Sequence, residues 1–535
     1  MSGEAPSKAW RYAAYAALAG AVGWWLVLAV RQVVEGGFYS DDFGIQWDWD
    51  SYGWWEAVET QTRVLGAKPI LAFLLPTAYE LLGEDPAGHQ ALAVVLSLAA
   101  AVFFFLVLRA LRFEAKDALP MALLALLFPW VSSVRLWPTG SLNNFAVLLL
   151  FAGLLLALRT LPLKGARGLL LHLPATALYV AAVLTYDATA GAAAAVWLLY
   201  IPLAGLRATW PRALMDLAAV GAAAIWTREN THKHVADLAD QLAHIPDIAR
   251  EGAHLIAASL LPTSVPADMP GAATAAVLVA ASAVLAAAAS HRGASDDRGG
   301  MPGRRWAMVA AAALVALAAC WAIYIPQAFY TPTFRGIEDR VNIVAVYPAA
   351  VLVWAVLRAA GTLLARDGYR LAAAGAAAIL VGYAINDTRQ QDDWARAAEL
   401  QQPVLEAVER TSAPDGSLLL VFGFPGETAP GVPVLNQTWD LHPAAQVLTD
   451  SSIHTHPVFE GARFKCGARE FTIQDLPSPL YWELLIAQRG TPRSFPYGQV
   501  TFLDPGSGRE ETIRSQAECE RSIATFEPGP FRAPG

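Results

Sequence analysis

Two apolar runs limit what this chain can fold into: AAYAALAGAVGWWLVLAV at 13–30 and ALAVVLSLAAAVFFFLVL at 91–108. At about 1.5 Å of rise per residue, a helix of that length crosses a hydrocarbon core about 30 Å thick. The composition agrees. Of 535 residues, 55% are hydrophobic and 16% are charged, with mean hydropathy +0.38. Soluble domains carry roughly a quarter charged residues. The chain reads as a polytopic α-helical membrane protein.

Further spans are expected at 118–131, 143–158, 169–186, 188–206, 213–226, 271–290, 306–325, 341–357 and 371–385,. The run at 13–30 is longer than a signal-peptide core and lacks a clean cleavage site after it, so it is expected to stay as the first span,. The net charge of −8 matters less than where the cations fall. Lys8 and Arg11, Arg109 to Lys116, Arg159 to Arg167, Arg207 and Arg212, Arg292 to Arg305, and Arg358 to Arg370 occupy alternate connections. Positive residues mark the cytoplasmic side. The N-terminus is therefore expected in the cytoplasm of a multi-pass cytoplasmic-membrane protein, with the other connections outside.

The segment KPILAFLLPTAYELLG (68–83) tests that assignment. If it crossed, every later basic loop would change sides. It is short and holds Pro76, so it is expected to lie in the interface or re-enter. About eleven spans and an external C-terminus follow by the same charge rule. The division is a membrane domain over 1–385, with a large first external loop at 31–89, and a soluble α/β domain over 386–535. In that tail GSLLLVFGF reads as a buried strand,. Cys466 and Cys519 are expected to form a disulfide, since the outer compartment is oxidising; two buried thiols are the alternative. Cys320 sits inside an apolar run.

The unusual polar residues fall on the external side. Asp41, Asp42, Asp48 and Asp50 follow the first span in GGFYSDDFGIQWDWDSYGWWE, with Arg63 and Lys68 after them. Arg135 and Trp137 lie in SSVRLWPTGSLNN, and Asp187 in TYDATAG. Arg228, His232 and Lys233 follow in TRENTHKH, and Arg335 and Arg340 in YIPQAFYTPTFRGIEDR. Acids, cations and aromatic residues at one membrane face describe a site for a charged, lipid-attached polar substrate. Plainer readings exist for each. Ser-Asp-Asp-Phe can cap a helix, the tryptophans can form an interfacial belt, the arginines can snorkel, and Asp187 can cap a helix or pair with an arginine.

YSDDF opening a large first external loop, followed by RVLGAKPI (63–70), resembles the GT-C superfamily of polyprenyl-phosphate-sugar-dependent glycosyltransferases of bacteria. Lys68 stands where that second motif commonly has arginine, and TYDATAG is similar to an external Tyr-acid turn of those proteins. The resemblance implies an inverting transfer at the outer face of the membrane. The donor would be a polyprenyl-phosphate-linked sugar and the acceptor an envelope glycan, lipid or protein. It implies a first-loop carboxylate that takes the acceptor proton. Asp41 is favoured by its place in the motif, with Asp42 binding a metal, a sugar hydroxyl or a backbone cap. Arg335 and Arg340 are the first expectation for holding the departing phosphate, because a guanidinium fork suits phosphate oxygens. Arg228, Lys233, Lys68 and Arg63 follow, with Asp187, Arg135, Trp137 and His232 toward the substrate. Asp48 and Asp50 are weak candidates for a divalent cation such as Mg or Mn, and no other cofactor is implied. Nucleic acid is not an expected partner. A flippase for lipid-linked sugars and an oligosaccharide ligase or polymerase are the alternatives.

Overall fold

A computed structural model describes residues 8–231, 237–261, 270–290, 302–327, 330–364, 368–475 and 494–531. The fold begins with α1 (Lys8–Glu35), which carries the first apolar run. The first loop folds into two helices, α2 (Asp41–Val64) and α3 (Pro69–Leu82). α2 kinks at Gly53, whose φ of 78° suits a residue without a Cβ,. The two helices are tied by Trp49 Nε1 donating to Glu80 at 2.9 Å and Trp54 Nε1 donating to Thr77 at 3.1 Å. With 14 residues, α3 reaches about 21 Å and cannot span the apolar layer,.

The membrane part continues with α4 (Pro86–Ala110), α5 (Ala115–Leu126), α6 (Ser133–Leu136), α7 (Pro138–Ser141), α8 (Asn143–Thr160), α9 (Gly165–Leu170) and α10 (Leu173–Thr185). Next come α11 (Ala190–Ala195), α12 (Ile201–Ala204), α13 (Leu206–Glu229), α14 (Leu238–Ser259), α15 (Gly271–Ser290), α16 (Pro302–Ala322), α17 (Val346–Leu364) and α18 (Gly368–Glu409). Among the described residues eight helical stretches are long and apolar enough to cross a membrane. The chain is a multi-pass membrane protein.

Three expected spans differ in form. The run 118–131 yields only the 12-residue α5, which holds Pro120 and reaches about 18 Å,. The run 213–226 lies in α13, which is long enough but carries Arg212 and Asp216. The span at 188–206 is broken into α11, a 3-10 turn at Val196–Leu199 and α12. Pro202 has no N–H for the Leu198 carbonyl, which interrupts the helical ladder there,.

The tail does not hang from a linker. α18 runs unbroken for 42 residues, about 63 Å, so the expected 385/386 boundary falls inside one helix,. Its C-terminal half joins α2, α3 and the tail in one hydrophobic core that includes Tyr39, Phe43, Trp394, Leu419, Val421 and Leu441. Tyr39 donates to the Trp394 carbonyl at 2.9 Å, 355 positions away.

The tail is α/β. Its main sheet is built from β1 (Leu418–Val421), β4 (His454–Pro457), β8 (Val500–Asp504) and β9 (Arg509–Ile513), in the order β4-β1-β8-β9. β1 pairs parallel with β4 and β8, and β9 closes the edge antiparallel to β8. A central parallel strand is covered on both faces, which is why Leu-Leu-Leu-Val is apolar throughout,. A hairpin of β2 (Glu427–Ala429) and β3 (Val432–Pro433) faces the membrane part. β5 (Arg463–Cys466), β6 (Glu470–Asp475) and β7 (Ser494–Pro496) form a second sheet. Among the described residues the tail also holds two helices, α19 (Thr438–Thr449) and α20 (Gln516–Thr525). A disulfide joins Cys466 to Cys519, with Cα atoms 5.9 Å apart, and Cys320 is a buried free thiol.

Candidate functional site

The two aspartates at the start of α2 have opposite environments. Ser40 before them has φ 48°, an uncommon backbone state for a residue with a Cβ,. The turn it makes leaves Asp41 exposed and Asp42 fully buried. Asp42 Oδ2 accepts from the Tyr39 N–H at 2.8 Å. Its Oδ1 accepts from the Thr139 N–H at 2.8 Å and the Thr139 hydroxyl at 2.5 Å. Burial pushes the Asp42 carboxyl up to about 7, against the pull of those donors. Tyr79 donates to the Asp42 carbonyl at 2.8 Å. Asp42 thus clamps α2 to α7, and a small cavity behind it is lined by Leu75, Tyr79, His89 and Leu92.

A second clamp fixes the loop between α16 and α17. The Asp339 carboxylate accepts four hydrogen bonds, from the N–H and hydroxyl of Ser132 and of Ser133, at 2.5–3.0 Å. Asn342 donates to the carbonyls of Trp130 and Thr333 at 2.9 and 2.6 Å. These bonds hold Ile337–Asn342 as a 3-10 turn, which is why the span expected from 341 begins only at Val346. On the other side Gly336, at φ 71°, packs against Gly431 of the β2–β3 hairpin, and the Ile337 N–H donates to the Gly431 carbonyl at 2.8 Å. A Cβ on Gly336 would meet Gly431 backbone at 2.5 Å.

Arg340 stands between the clamps. Its guanidinium lies over the Trp137 ring, 5.5 Å from the centroid. Burial opposes its charge, but Tyr186, Tyr330 and Asp41 outweigh that and hold it above its ordinary value. The charge of Asp41, from the other end of the membrane domain, thus favours the charged form of Arg340. Tyr186 also receives Lys68, whose Nζ sits 4.5 Å from the ring centroid and 3.4 Å from Asp187 Oδ1. Lys68, Asp187 and Arg340 thus gather about Tyr186, with Trp137 under Arg340.

Other expected residues lie elsewhere. Arg335 is exposed and faces Asp393 of α18 electrostatically. Arg135 makes a bidentate pair with Asp387 at 2.9 and 2.5 Å, beside a cavity lined by Trp25, Gln32, Ser97 and Gln391. That pair ties α6 to α18 and leaves the guanidinium committed. Arg63 and Arg228 are exposed, and Arg63 donates to Thr60 at 3.1 Å. His232 and Lys233 lie outside the described residues. Asp48 is buried and accepts from Gln61 at 2.8 Å, whereas Asp50 is exposed, so the two do not form a chelating pair. Among the described residues no three His, Cys, Asp or Glu side chains form a metal-holding group.

One residue of the neighbourhood carries no sequence signal. Asp440, on α19 of the tail, is fully buried, and the Gln437 backbone beside it favours its charged form only in part. Its carboxyl is raised well above the usual range by burial, then by Asp41 and Asp42. α19 packs directly on α2; the Trp439 carbonyl lies where a Cβ on Gly44 would be in ordinary contact. The tail thus supplies one wall beside the α2 aspartates.

No protein-family model matches the sequence, and no curated protein matches it. Among solved structures the chain is similar to the archaeal oligosaccharyltransferase AglB from Archaeoglobus fulgidus, in complex with an inhibitory peptide and a dolichol-phosphate. The likeness covers 82% of this chain and 64% of that one, at 10% identity and a TM-score of 0.37. The chain therefore spans just under two thirds of that protein's length. So distant a likeness assigns this chain neither activity nor substrate.

Proposed function

We propose that the chain is an inverting membrane glycosyltransferase of GT-C type. It moves a sugar from a polyprenyl-phosphate donor to an envelope glycan, lipid or protein at the outer face of the cytoplasmic membrane. The observation that carries this reading is the gathering of Lys68, Asp187 and Arg340 about Tyr186, with the charge of Asp41 acting on Arg340. Asp41 is exposed, whereas Asp42 is buried. It takes the acceptor hydroxyl proton as that oxygen bonds to the anomeric carbon. The anomeric bond to the phosphate oxygen breaks, and its electron pair leaves with the polyprenyl phosphate. Base help of this kind contributes roughly 10²–10⁴ in rate. Arg340 and Lys68 meet the growing phosphate charge; preorganised cations stabilise such a charge without reorganising during the reaction. Asp187 and Tyr186 position Lys68, and Trp137 positions Arg340. The donor set around Asp48 and Asp50 does not fit a divalent cation, and no step is routed through one.

Transfer of a whole oligosaccharide makes the same demands on base and cations, so a ligase or polymerase is a variant of this reading. A flippase would need ionisable groups along a path through the membrane. The buried pair His172 and Asp216 is the nearest approach to one. Asp216 is filled by His172 at 3.1 Å, Thr176 at 2.5 Å and Tyr200 at 3.2 Å, a closed knot rather than a lining. The test is an assay of purified protein with a panel of polyprenyl-phosphate sugars, watching for released polyprenyl phosphate. Release lost in Asp41→Asn supports the transferase. Translocation in vesicles with no chemical change supports the flippase.

A further inference from the structure

α14 is not among the eight span-like helices, yet it sits in the chain between two membrane elements, α13 and α15. Its residues sort into three faces. Leu238, Leu242 and Ile245 are 70%, 58% and 40% exposed, and their i, i+4, i+7 spacing puts them on one stripe. Asp240, Asp247, Arg250 and Glu251 lie on the opposite side of the helix at 3.6 residues per turn,. Between these faces His244, Ile248, Gly252 and Leu255 are buried. That third face is fixed to the protein. His244 Nε2 bonds the Tyr330 carbonyl at 2.8 Å, and a Cβ on Gly252 would strike Trp321. At the C-terminal end His254 packs on Phe334, with ring centroids 4.9 Å apart.

Three exposed large aliphatic side chains in one stripe are unfavourable in water, at about 25 cal/mol for each Å² of apolar area left wet. α14 packs on α15, one of the eight span-like helices, and neighbouring elements also present bare apolar side chains. Ile225 and Trp226, near the end of α13, are 60% and 39% exposed, and Val279 on α15 is 67% exposed. A helix with a charged face opposite an apolar one lies in the plane of a membrane interface rather than across it.

We propose that α14 is an in-plane helix of the outer membrane interface, with Leu238, Leu242 and Ile245 seated among lipid acyl chains and its charged face in water. The lipid-seated helix holds the loop bearing Tyr330 and Phe334, and so sets the depth of Arg340 relative to the bilayer. The proposal does not depend on the transferase reading. Its test uses the full chain in lipid nanodiscs, with single cysteines at Leu238→Cys, Leu242→Cys, Ile245→Cys, Asp240→Cys and Arg250→Cys carrying nitroxide labels. The native cysteines do not compete, because Cys320 is buried and Cys466 is bonded to Cys519. Collision with oxygen, which concentrates in lipid, should exceed collision with a water-soluble nickel chelate at 238, 242 and 245, and the order should reverse at 240 and 250. Equal nickel access at all five positions would overturn the proposal. So would shielding of the apolar positions from both reagents, the mark of a protein partner or second copy. The three apolar positions are independent, so the loss of one variant to misfolding leaves two to decide.

Discussion

Asp42 accepts both the backbone N–H and the hydroxyl of Thr139, 97 positions later, while its neighbour Asp41 is exposed. Adjacent carboxylates in one helical turn thus have different surroundings, and the proposed function gives them different work.

Asp42→Ala should therefore act on stability. It leaves the Tyr39 and Thr139 N–H groups buried without an acceptor, and each such loss costs about 1–3 kcal/mol. Asp41→Asn changes an exposed position and should cost less stability than Asp42→Ala does,. Thermal unfolding of both variants in detergent separates the two roles.

The raised Asp42 carboxyl makes a signed pH prediction. Its folded value, about 7, lies above the ordinary value of about 3.9 because burial favours the neutral form,. The folded state is thus favoured fully below the unfolded value, and that contribution is lost as pH rises through about 7,. Stability of the wild type should fall across that window more steeply than that of Asp42→Asn, read as melting temperature against pH.

Asp339→Ala strands four donors of Ser132 and Ser133 and frees the turn that carries Arg340. The expected loss is about 3–5 kcal/mol, as for breaking other buried charged networks. Asp339→Asn, which keeps acceptor capacity on one oxygen, should be milder. Denaturant midpoints of the two variants check the order.

Gly336→Ala forces a Cβ into the Gly431 backbone at a φ that side chains disfavour,. The tail hairpin should part from the late loop, seen as faster protease cleavage near Gly431. Separately, Cys519→Ser opens a bridge spanning 53 positions and should destabilise the tail by about 2–4 kcal/mol,.

Much of this was legible in the sequence, for reasons that differ by element. The long apolar runs announce helices because length and hydropathy act locally. Pro76 and the cation pattern kept α3 out of the membrane for the same kind of reason, and its 14 residues agree. Where the reading failed, the deciding partner was remote. Asp339 delays the start of α17 by binding Ser132 and Ser133, some 206 positions away. Arg135 looked available until Asp387, 252 positions on, was found to hold it. The continuous α18 hid the domain boundary because the change in composition at 386 falls within a helix. Asp440 could not have been singled out, since nothing near it in the tail marks an aspartate destined for the wall beside Asp41.

The most direct measurement is polyprenyl phosphate released by purified wild type, Asp41→Asn, Arg340→Gln and the double variant, each checked for intact folding. If Asp41 and Arg340 serve one transfer, the wild type turns over, and Asp41→Asn loses roughly 10²–10⁴ in rate. Adding Arg340→Gln to it should cost far less than the same change costs alone, because groups acting as a unit are not additive. Wild-type release rates from folded Asp41→Asn and Arg340→Gln proteins would contradict the account.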